Sequence, residues 1–92
     1  MIVRISRPAV ADLRSAVAFI RHESPRAANR VQLAIERTVD SLADFPNRGR
    51  LGQLPGTREI VVRGAPYVVA YAVTNEMITV LRIRHIRQDP AP

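Results

Sequence analysis

The sequence predicts an α+β fold in which an N-terminal strand and an αα-hairpin precede a three-stranded antiparallel meander, in the order β-α-α-β-β-β. Two observations lead to this prediction. Between residues 10 and 42, apolar residues recur every three or four positions, which is the period of a helix packed along one side. After residue 56, runs rich in Val, Ile, Tyr and Thr follow one another with separators of two or three residues, which is typical of consecutive β-hairpins. A chain of 92 residues is expected to form one domain, spanning residues 1–92.

The N-terminal half is predicted to contain one strand and two helices. Residues 2–6 alternate between apolar and polar, as a half-buried strand does. A serine followed closely by a proline occurs at residues 6–8 and again at 24–25. Such a pair starts a helix, because the serine caps it and the proline needs no N–H partner in the first turn. The second helix is expected to run towards Phe45 and to end at Pro46, which completes a helical hairpin.

The C-terminal half is predicted to be a loop followed by three strands. Residues 46–56 carry three of the four glycines and two prolines, which is typical of a loop. Strands are expected at residues 57–63, 67–74 and 77–86. Because their separators are short, these strands should pair as a meander.

The composition narrows the classes of function. Apolar residues make up 47% and charged residues 24%, as in globular proteins. Cysteine is absent, which excludes disulfides, thiolate catalysis and the usual structural zinc sites. With His22 and His85 as the only histidines, we expect no metal and no other cofactor. The apolar runs are too short to span a membrane and no signal peptide is evident, so we expect a cytoplasmic protein without a membrane partner.

The charge predicts an acidic partner. The net charge is +6, and all 14 basic residues are arginine. Each guanidinium is a planar fork that suits a carboxylate or a phosphate, so the partner should be an acidic protein or a nucleic acid. No nucleic-acid-binding motif accompanies the arginines on the helices, so we expect these arginines to solvate the surface. They are at positions 14, 21, 26, 30 and 37.

The strand at residues 67–74 is apolar on both faces, which bears on how the partner binds. Tyr67 and Tyr71 fall on one face, while Val68 and Ala70 fall on the other. Two short helices cover only one side of a sheet, so the other side is expected to be a protein interface. The expected occupant is an amphipathic acidic polypeptide, with a helix in a groove and a strand added to a sheet edge. The alternative is that the glycine-rich loop folds over this second face.

The stretch LRIRHIRQ at residues 81–88 raises the question of catalysis. Strand periodicity places Arg82 and Arg84 on the open face, and Leu81, Ile83 and His85 towards the helices. A bulge near Arg84 would reverse the placement of His85.

A ribonuclease site would need a base, an acid and a cation around one scissile bond. The candidates are His85, Glu59, Arg58, Arg82 and the two tyrosines. Because periodicity separates His85 from Arg82, we expect the arginines to bind a partner and His85 to be structural. Ion pairs with Glu59 and Glu76 are an alternative role for the arginines.

An ordered set of short motifs covers nearly the whole chain. They are Ala11-Asp12-Leu13, Ser24-Pro25 with Ala27-Ala28, Phe45-Pro46 with Gly49-Arg50, Gly56-Thr57-Arg58-Glu59, Pro66-Tyr67 with Tyr71, and Leu81-Arg82-Ile83 with His85 and Arg87-Gln88. This set resembles the ParE branch of the ParE/RelE toxin superfamily. The resemblance implies a RelE/ParE-like fold and the toxin half of a type II toxin–antitoxin module. It also implies a cognate acidic, ParD-like antitoxin that binds across the sheet and the helical hairpin in a hetero-oligomer, with operator DNA contacted only through the antitoxin.

The branches of this superfamily differ in their targets. ParE-type toxins inhibit DNA gyrase, whereas RelE-type toxins cleave mRNA in the ribosome. This sequence has no lysine and no tyrosine after Tyr71, and thus departs from the RelE pattern. We therefore expect a gyrase inhibitor without catalytic residues. The alternatives are a ribosome-dependent mRNA endonuclease that uses His85, Arg58 and Arg82, and a non-toxic member that acts as a co-repressor. The residues expected to bind the antitoxin or the target are Arg58, Tyr67, Tyr71, Arg82, Arg84 and Arg87.

Overall fold

The computed structural model describes residues 1–88 and confirms the α+β class. Helices α1 (Arg7–Glu23) and α2 (Pro25–Ser41) form a hairpin on one face of a five-stranded sheet. The strands are β1 (Ile2–Ile5), β2 (Arg50–Leu51), β3 (Thr57–Val61), β4 (Tyr67–Thr74) and β5 (Met77–His85). A short 3-10 helix, Ile86–Gln88, follows. Neither helix in this part of the chain has the length and apolar content needed to cross a membrane.

The sheet order is β1-β5-β4-β3-β2. Strands β3, β4 and β5 pair antiparallel, which confirms the meander. Strand β1 pairs parallel with β5, with Ile2 opposite Met77 and Ile5 opposite Val80. The N-terminal strand is thus one edge of the sheet, and the two-residue strand β2 is the other.

Both helices begin where the capping pairs predict. The Ser6 Oγ accepts a hydrogen bond from the Ala9 N–H at 3.3 Å, and the Ser24 Oγ accepts one from the Ala27 N–H at 3.1 Å. Helix α2 ends at Ser41, earlier than the predicted Phe45. There the Ser41 hydroxyl donates to the Thr38 carbonyl at 2.7 Å, and the chain tightens into turns.

Strand β2 lies inside the segment that the sequence predicts to be a loop. It forms because Arg50 stands opposite Glu59 and makes an ion pair with it at 2.9 Å, while the Gly52 N–H donates to the Thr57 carbonyl at 2.8 Å. Strand β3 ends at Val61 and β5 at His85, two residues and one residue earlier than expected.

The core lies between the helices and one face of the sheet. Ile35 and Val39 of α2 pack with Val69, Val80 and Ile83 of the sheet. A second cluster holds Tyr71, Leu42 and Ile78. The expectation that Leu81 faces the helices is wrong, because a bulge interrupts the pairing at this point. Tyr71 is opposite Val80 and Ala70 is opposite Arg82, so Leu81 is the extra residue and Val80 takes the core position.

Candidate partner-binding face of the sheet

The face of the sheet opposite the helices is defined by two rows of directly paired residues. One row is Glu59, Ala70 and Arg82, and the other is Val61, Val68 and Arg84. Opposite residues in paired strands point to the same side, so these six side chains share what is called here the open face. The bulge precedes Arg82, so it leaves the relation between Arg82, Arg84 and His85 as the sequence predicts.

The open face is apolar at its centre. Val68 is only 1% exposed although it points away from the helices, because it lies between Val61 and Arg84 of the neighbouring strands. Ala70 is half-buried, and Val61 is 51% exposed. Leu51 of β2 and Leu54 of the turn that follows it are 78% and 70% exposed, so this segment does not bury its leucines on this face.

One carboxylate organises the arginines at the centre of the open face. Glu59 has only 12% of its side chain exposed. Its Oε1 lies 2.9 Å from Arg50 Nη2, and its Oε2 lies 3.8 Å from Arg84 Nη2. Arg84 therefore forms an ion pair with Glu59, which is one of the alternatives that the sequence left open for the arginines. Glu59 thus balances part of the positive charge within the sheet.

Arg82 is held from the side by helix α1. Its Nε and Nη2 donate to the two carboxylate oxygens of Asp12 at 2.8 and 3.0 Å. The Asp12 Oδ2 also accepts a hydrogen bond from the Ile83 N–H at 2.9 Å. Ile83 lies on β5 just beyond Val80, the last residue that pairs with β1. Burial alone would raise the pKa of Asp12, but the hydrogen bonds from Arg82 and from the Ile83 N–H outweigh it and lower that pKa below its usual value. Asp12 therefore caps the edge of β5 in its ionised form.

Tyr71 and Arg58 anchor the loop that follows α2. The Tyr71 hydroxyl donates to the Pro46 carbonyl and accepts the Gly49 N–H, both at 2.8 Å. The Arg58 guanidinium donates to the Gly49 carbonyl at 2.8 Å and to the Asn47 carbonyl at 3.3 Å. Both side chains thus have structural contacts within the chain, and their role in binding a partner stays a prediction.

Tyr67, His85 and Arg87 meet at the end of β5. The rings of Tyr67 and His85 pack edge to face with centroids 5.2 Å apart, and burial raises the pKa of Tyr67. The His85 Nδ1 accepts the Arg87 N–H at 3.0 Å, which leaves its proton on Nε2 when the ring is neutral. The Arg87 side chain is exposed. His85 is half-buried at the margin of the core, where strand periodicity placed it.

These positions keep three of the nuclease candidates apart, namely Arg58, Arg82 and His85. Arg58 is opposite Tyr71, whereas His85 is opposite Tyr67, four residues away along β4. Standard strand spacings put the Cα atoms of Arg58 and His85 about 16 Å apart, from about 13 Å along the strand and about 10 Å across it. Arg82 lies on the opposite face of β5 from His85 and is bound to Asp12. The structure places Tyr67 beside His85 but adds neither Arg58 nor Arg82 to that pair.

Sequence reasoning missed two residues that position this face. In the sequence, Asp12 stands out only as part of a family motif, because its partners Arg82 and Ile83 lie 70 and 71 residues away in the chain. Gly49 also stands out only as part of a family motif. A Cβ atom built on it would lie 2.7 Å from the Tyr71 hydroxyl and 2.8 Å from the Glu59 carbonyl oxygen, so the close approach of the loop requires glycine there. The only sequence signal for either role is the motif itself.

Comparisons with known proteins agree on the fold and the family. The model for the ParE toxin of the type II toxin–antitoxin system, parDE, matches residues 3–90. The chain is 43% identical over 77 residues to toxin RelE2 of Caulobacter vibrioides, covering 84% of this chain and 85% of that protein.

Two solved structures have the same fold. A chain of the chromosomal ParDE system from P. aeruginosa matches with a TM-score of 0.80 and 25% identity, covering 92% of this chain and 95% of that one. A chain of the intact E. coli RelBE toxin–antitoxin complex matches with a TM-score of 0.66 at 16% identity, covering 91% and 94%, which shows the fold alone. The sheet, the helical hairpin and the nearly full-length match together establish that the chain belongs to the ParE toxin family of type II toxin–antitoxin systems.

Proposed function

We propose that this ParE-family toxin arrests growth by inhibiting DNA gyrase, and that a cognate acidic antitoxin neutralises it by binding across the sheet and the helical hairpin. The proposal places the toxin in the cytoplasm as a non-catalytic protein. The gyrase target is supported by the match to the ParE toxin family over residues 3–90, and the non-catalytic mode by the separation of His85, Arg58 and Arg82, each of which makes a structural contact of its own. A toxin that binds its target without breaking a covalent bond needs no such cluster.

The open face supports the antitoxin part of the proposal. It presents the 51% exposed Val61 and the half-buried Ala70, bordered by Arg82 and Arg84, while Val68 itself is already buried. An amphipathic acidic segment matches this arrangement, because its apolar side chains would cover Val61 and Ala70 while its carboxylates meet the arginines. Strand β1 is an edge of the sheet to which a strand of the antitoxin could pair, and Ile2 on this edge is 67% exposed.

A supercoiling assay tests the gyrase target. Purified toxin added to gyrase, relaxed plasmid and ATP is expected to reduce the supercoiled product in a dose-dependent manner, and equimolar antitoxin is expected to restore it. The matched control is Glu76→Gln, an exposed residue of the turn between β4 and β5 outside the predicted binding residues, which should inhibit gyrase like the wild type. Normal supercoiling at saturating wild-type toxin would show that gyrase is not the target.

The second candidate is a ribosome-dependent mRNA endonuclease, which is favoured by the name of the RelE2 relative. Mapping transcript 5′ ends after induction separates the two functions. We expect no new cleavage at codon boundaries, and we expect His85→Ala to remain as toxic as the wild type. New 5′ ends that disappear in His85→Ala would show that the toxin cleaves mRNA.

A further inference from the structure

A second basic surface lies away from the open face. It is a groove of about 410 Å³ between α2 and the turn that joins β3 to β4. Four of its lining residues are arginines: Arg30 and Arg37 from α2, Arg48 from the loop that follows α2, and Arg63 from the turn. These four residues, together with Leu33 and Ala34 between the two helical arginines, are called here the arginine groove.

The helical wall of the groove has a regular pattern. Arg30, Leu33 and Arg37 are spaced by three and four residues, which places them on one stripe of α2. At the rise of an α-helix, seven residues put Arg30 and Arg37 about 10.5 Å apart along the axis, with Leu33 between them. Leu33 is 47% exposed, so the wall offers an apolar contact flanked by two cations.

The charge of this groove is not balanced from within the described part of the chain. Arg30, Arg37 and Arg63 make no hydrogen bond or ion pair with any of residues 1–88, and Arg48 donates only to the Ser41 hydroxyl at 3.2 Å. No Asp or Glu lines the groove. On the open face, by contrast, Arg82 and Arg84 both contact a carboxylate. The groove therefore gathers four arginines whose charge no carboxylate of residues 1–88 offsets.

The lining favours an acidic polypeptide over a nucleic acid. Single-stranded nucleic acids bind where aromatic side chains stack on the bases, and no aromatic side chain lines this groove. A phosphate backbone would also make no apolar contact with the exposed Leu33 or the neighbouring Ala34. An amphipathic helix that carries carboxylates on both sides of an apolar residue would use both the arginines and the apolar wall.

We propose that the arginine groove binds a helical segment of the cognate antitoxin in which one apolar residue is flanked by two carboxylates seven residues apart. This inference rests on the proposed function, because it assigns a second contact surface to the same antitoxin. The segment would lie along α2, with its carboxylates at Arg30 and Arg37 and its apolar side chain on Leu33. Arg48 and Arg63 would approach the same carboxylates from the other wall.

Charge reversal tests the groove. The double variant Arg30→Glu/Arg37→Glu is expected to weaken antitoxin binding about 30-fold in titration calorimetry at moderate salt, because repulsion replaces two attractive pairs. The matched control is Arg7→Glu, an exposed arginine at the start of α1 outside the groove, where an acidic residue suits the helix N-terminus. It should bind like the wild type. If circular dichroism shows that the double variant is unfolded, Arg30→Gln/Arg37→Gln replaces it, with about a 10-fold loss expected.

A synthetic probe tests the spacing without the antitoxin. It is a blocked alanine-based helical peptide with Glu, Leu and Glu spaced like Arg30, Leu33 and Arg37. Wild-type toxin should bind it more tightly than the same peptide with Gln in place of Glu, and the double variant should lose this preference.

The outcomes separate the two proposals. Wild-type affinity of the double variant for the antitoxin overturns the groove proposal, while a loss in Arg82→Glu/Arg84→Glu would still uphold the open face. Failure of the wild-type toxin to bind the antitoxin at all would instead overturn the proposed function. If the double variant keeps its antitoxin affinity but no longer binds a 20-nucleotide single-stranded DNA that the wild type binds, the groove is a nucleic-acid site and the proposal is wrong.

Discussion

The Tyr71 hydroxyl is expected to be one of the most costly single groups to remove. Tyr71 is 0% exposed, and its hydroxyl joins two backbone groups of the loop after α2, the Pro46 carbonyl and the Gly49 N–H. Tyr71→Phe keeps the ring and its packing and deletes only that oxygen. Both backbone groups then lose their partner, and the Gly49 N–H is buried.

The size of the effect follows from the burial of the two groups. A buried donor left without a partner costs about 2 kcal/mol, and a partly buried carbonyl that water can reach adds about 1 kcal/mol. The expected loss in the free energy of unfolding is therefore about 2 to 3 kcal/mol. For a domain of this size, each kcal/mol lowers Tm by roughly 4 to 8 °C, so Tm should fall by about 10 to 20 °C.

The measurement is urea unfolding followed by far-UV circular dichroism, with the same slope expected for both proteins. Tyr67→Phe is the matched control, because it deletes the same atom from the same strand. The Tyr67 hydroxyl makes no hydrogen bond within residues 1–88, so its loss should change stability by less than about 0.5 kcal/mol. Equal losses in the two variants, or a Tyr71→Phe variant as stable as the wild type, would refute the role given to this hydroxyl.

Three further perturbations have defined outcomes. Asp12→Asn should cost about 1 kcal/mol near pH 7. Because the folded pKa of Asp12 is lowered, its ionised form stabilises the fold above the unfolded value near 3.8, and the gap between wild type and variant in acid titrations of stability should close below that pH. Gly49→Ala should lose about 2 kcal/mol or more in thermal unfolding, since its Cβ atom would clash with Tyr71; full stability would contradict the close approach. Glu59→Gln removes the carboxylate that two arginines contact, so affinity for the acidic antitoxin should rise about threefold, with a steeper salt dependence in calorimetry; unchanged affinity would place the binding site elsewhere.

Features that depend on near neighbours in sequence were predicted well. The caps at Ser6 and Ser24 act within three residues, and the hairpin turns at residues 64–66 and 75–76 carry their own turn chemistry. Asn75 indeed takes a left-handed backbone conformation, with φ of 46°. Such signals are visible in the sequence because the residues that interact are also adjacent in it.

Features that depend on distant pairs left no local trace. Nothing near residues 2–5 indicates a parallel partner at residues 77–80, and nothing near Leu81 indicates the bulge. Arg82 was expected to face a partner, but its bidentate pairing with Asp12 could not be foreseen from an alternating pattern. Conversely, the helical arginines were expected only to solvate the surface. Their stripe was visible in the sequence, but the groove needs Arg48 and Arg63, which the fold brings to it.

The parallel pairing of β1 with β5 also sets the order in which the molecule can be completed. During synthesis, β1 and the helical hairpin leave the ribosome long before residues 77–80 of β5. This part of β5 must then pair with β1 on one side and β4 on the other. Until then β1 has no strand to pair with, and the Ile83 N–H that Asp12 caps does not yet exist. Contacts between such distant segments also form slowly. A chain built in this way completes its sheet only after β5 has been translated, so the open face, which needs Arg82 and Arg84, also forms only then.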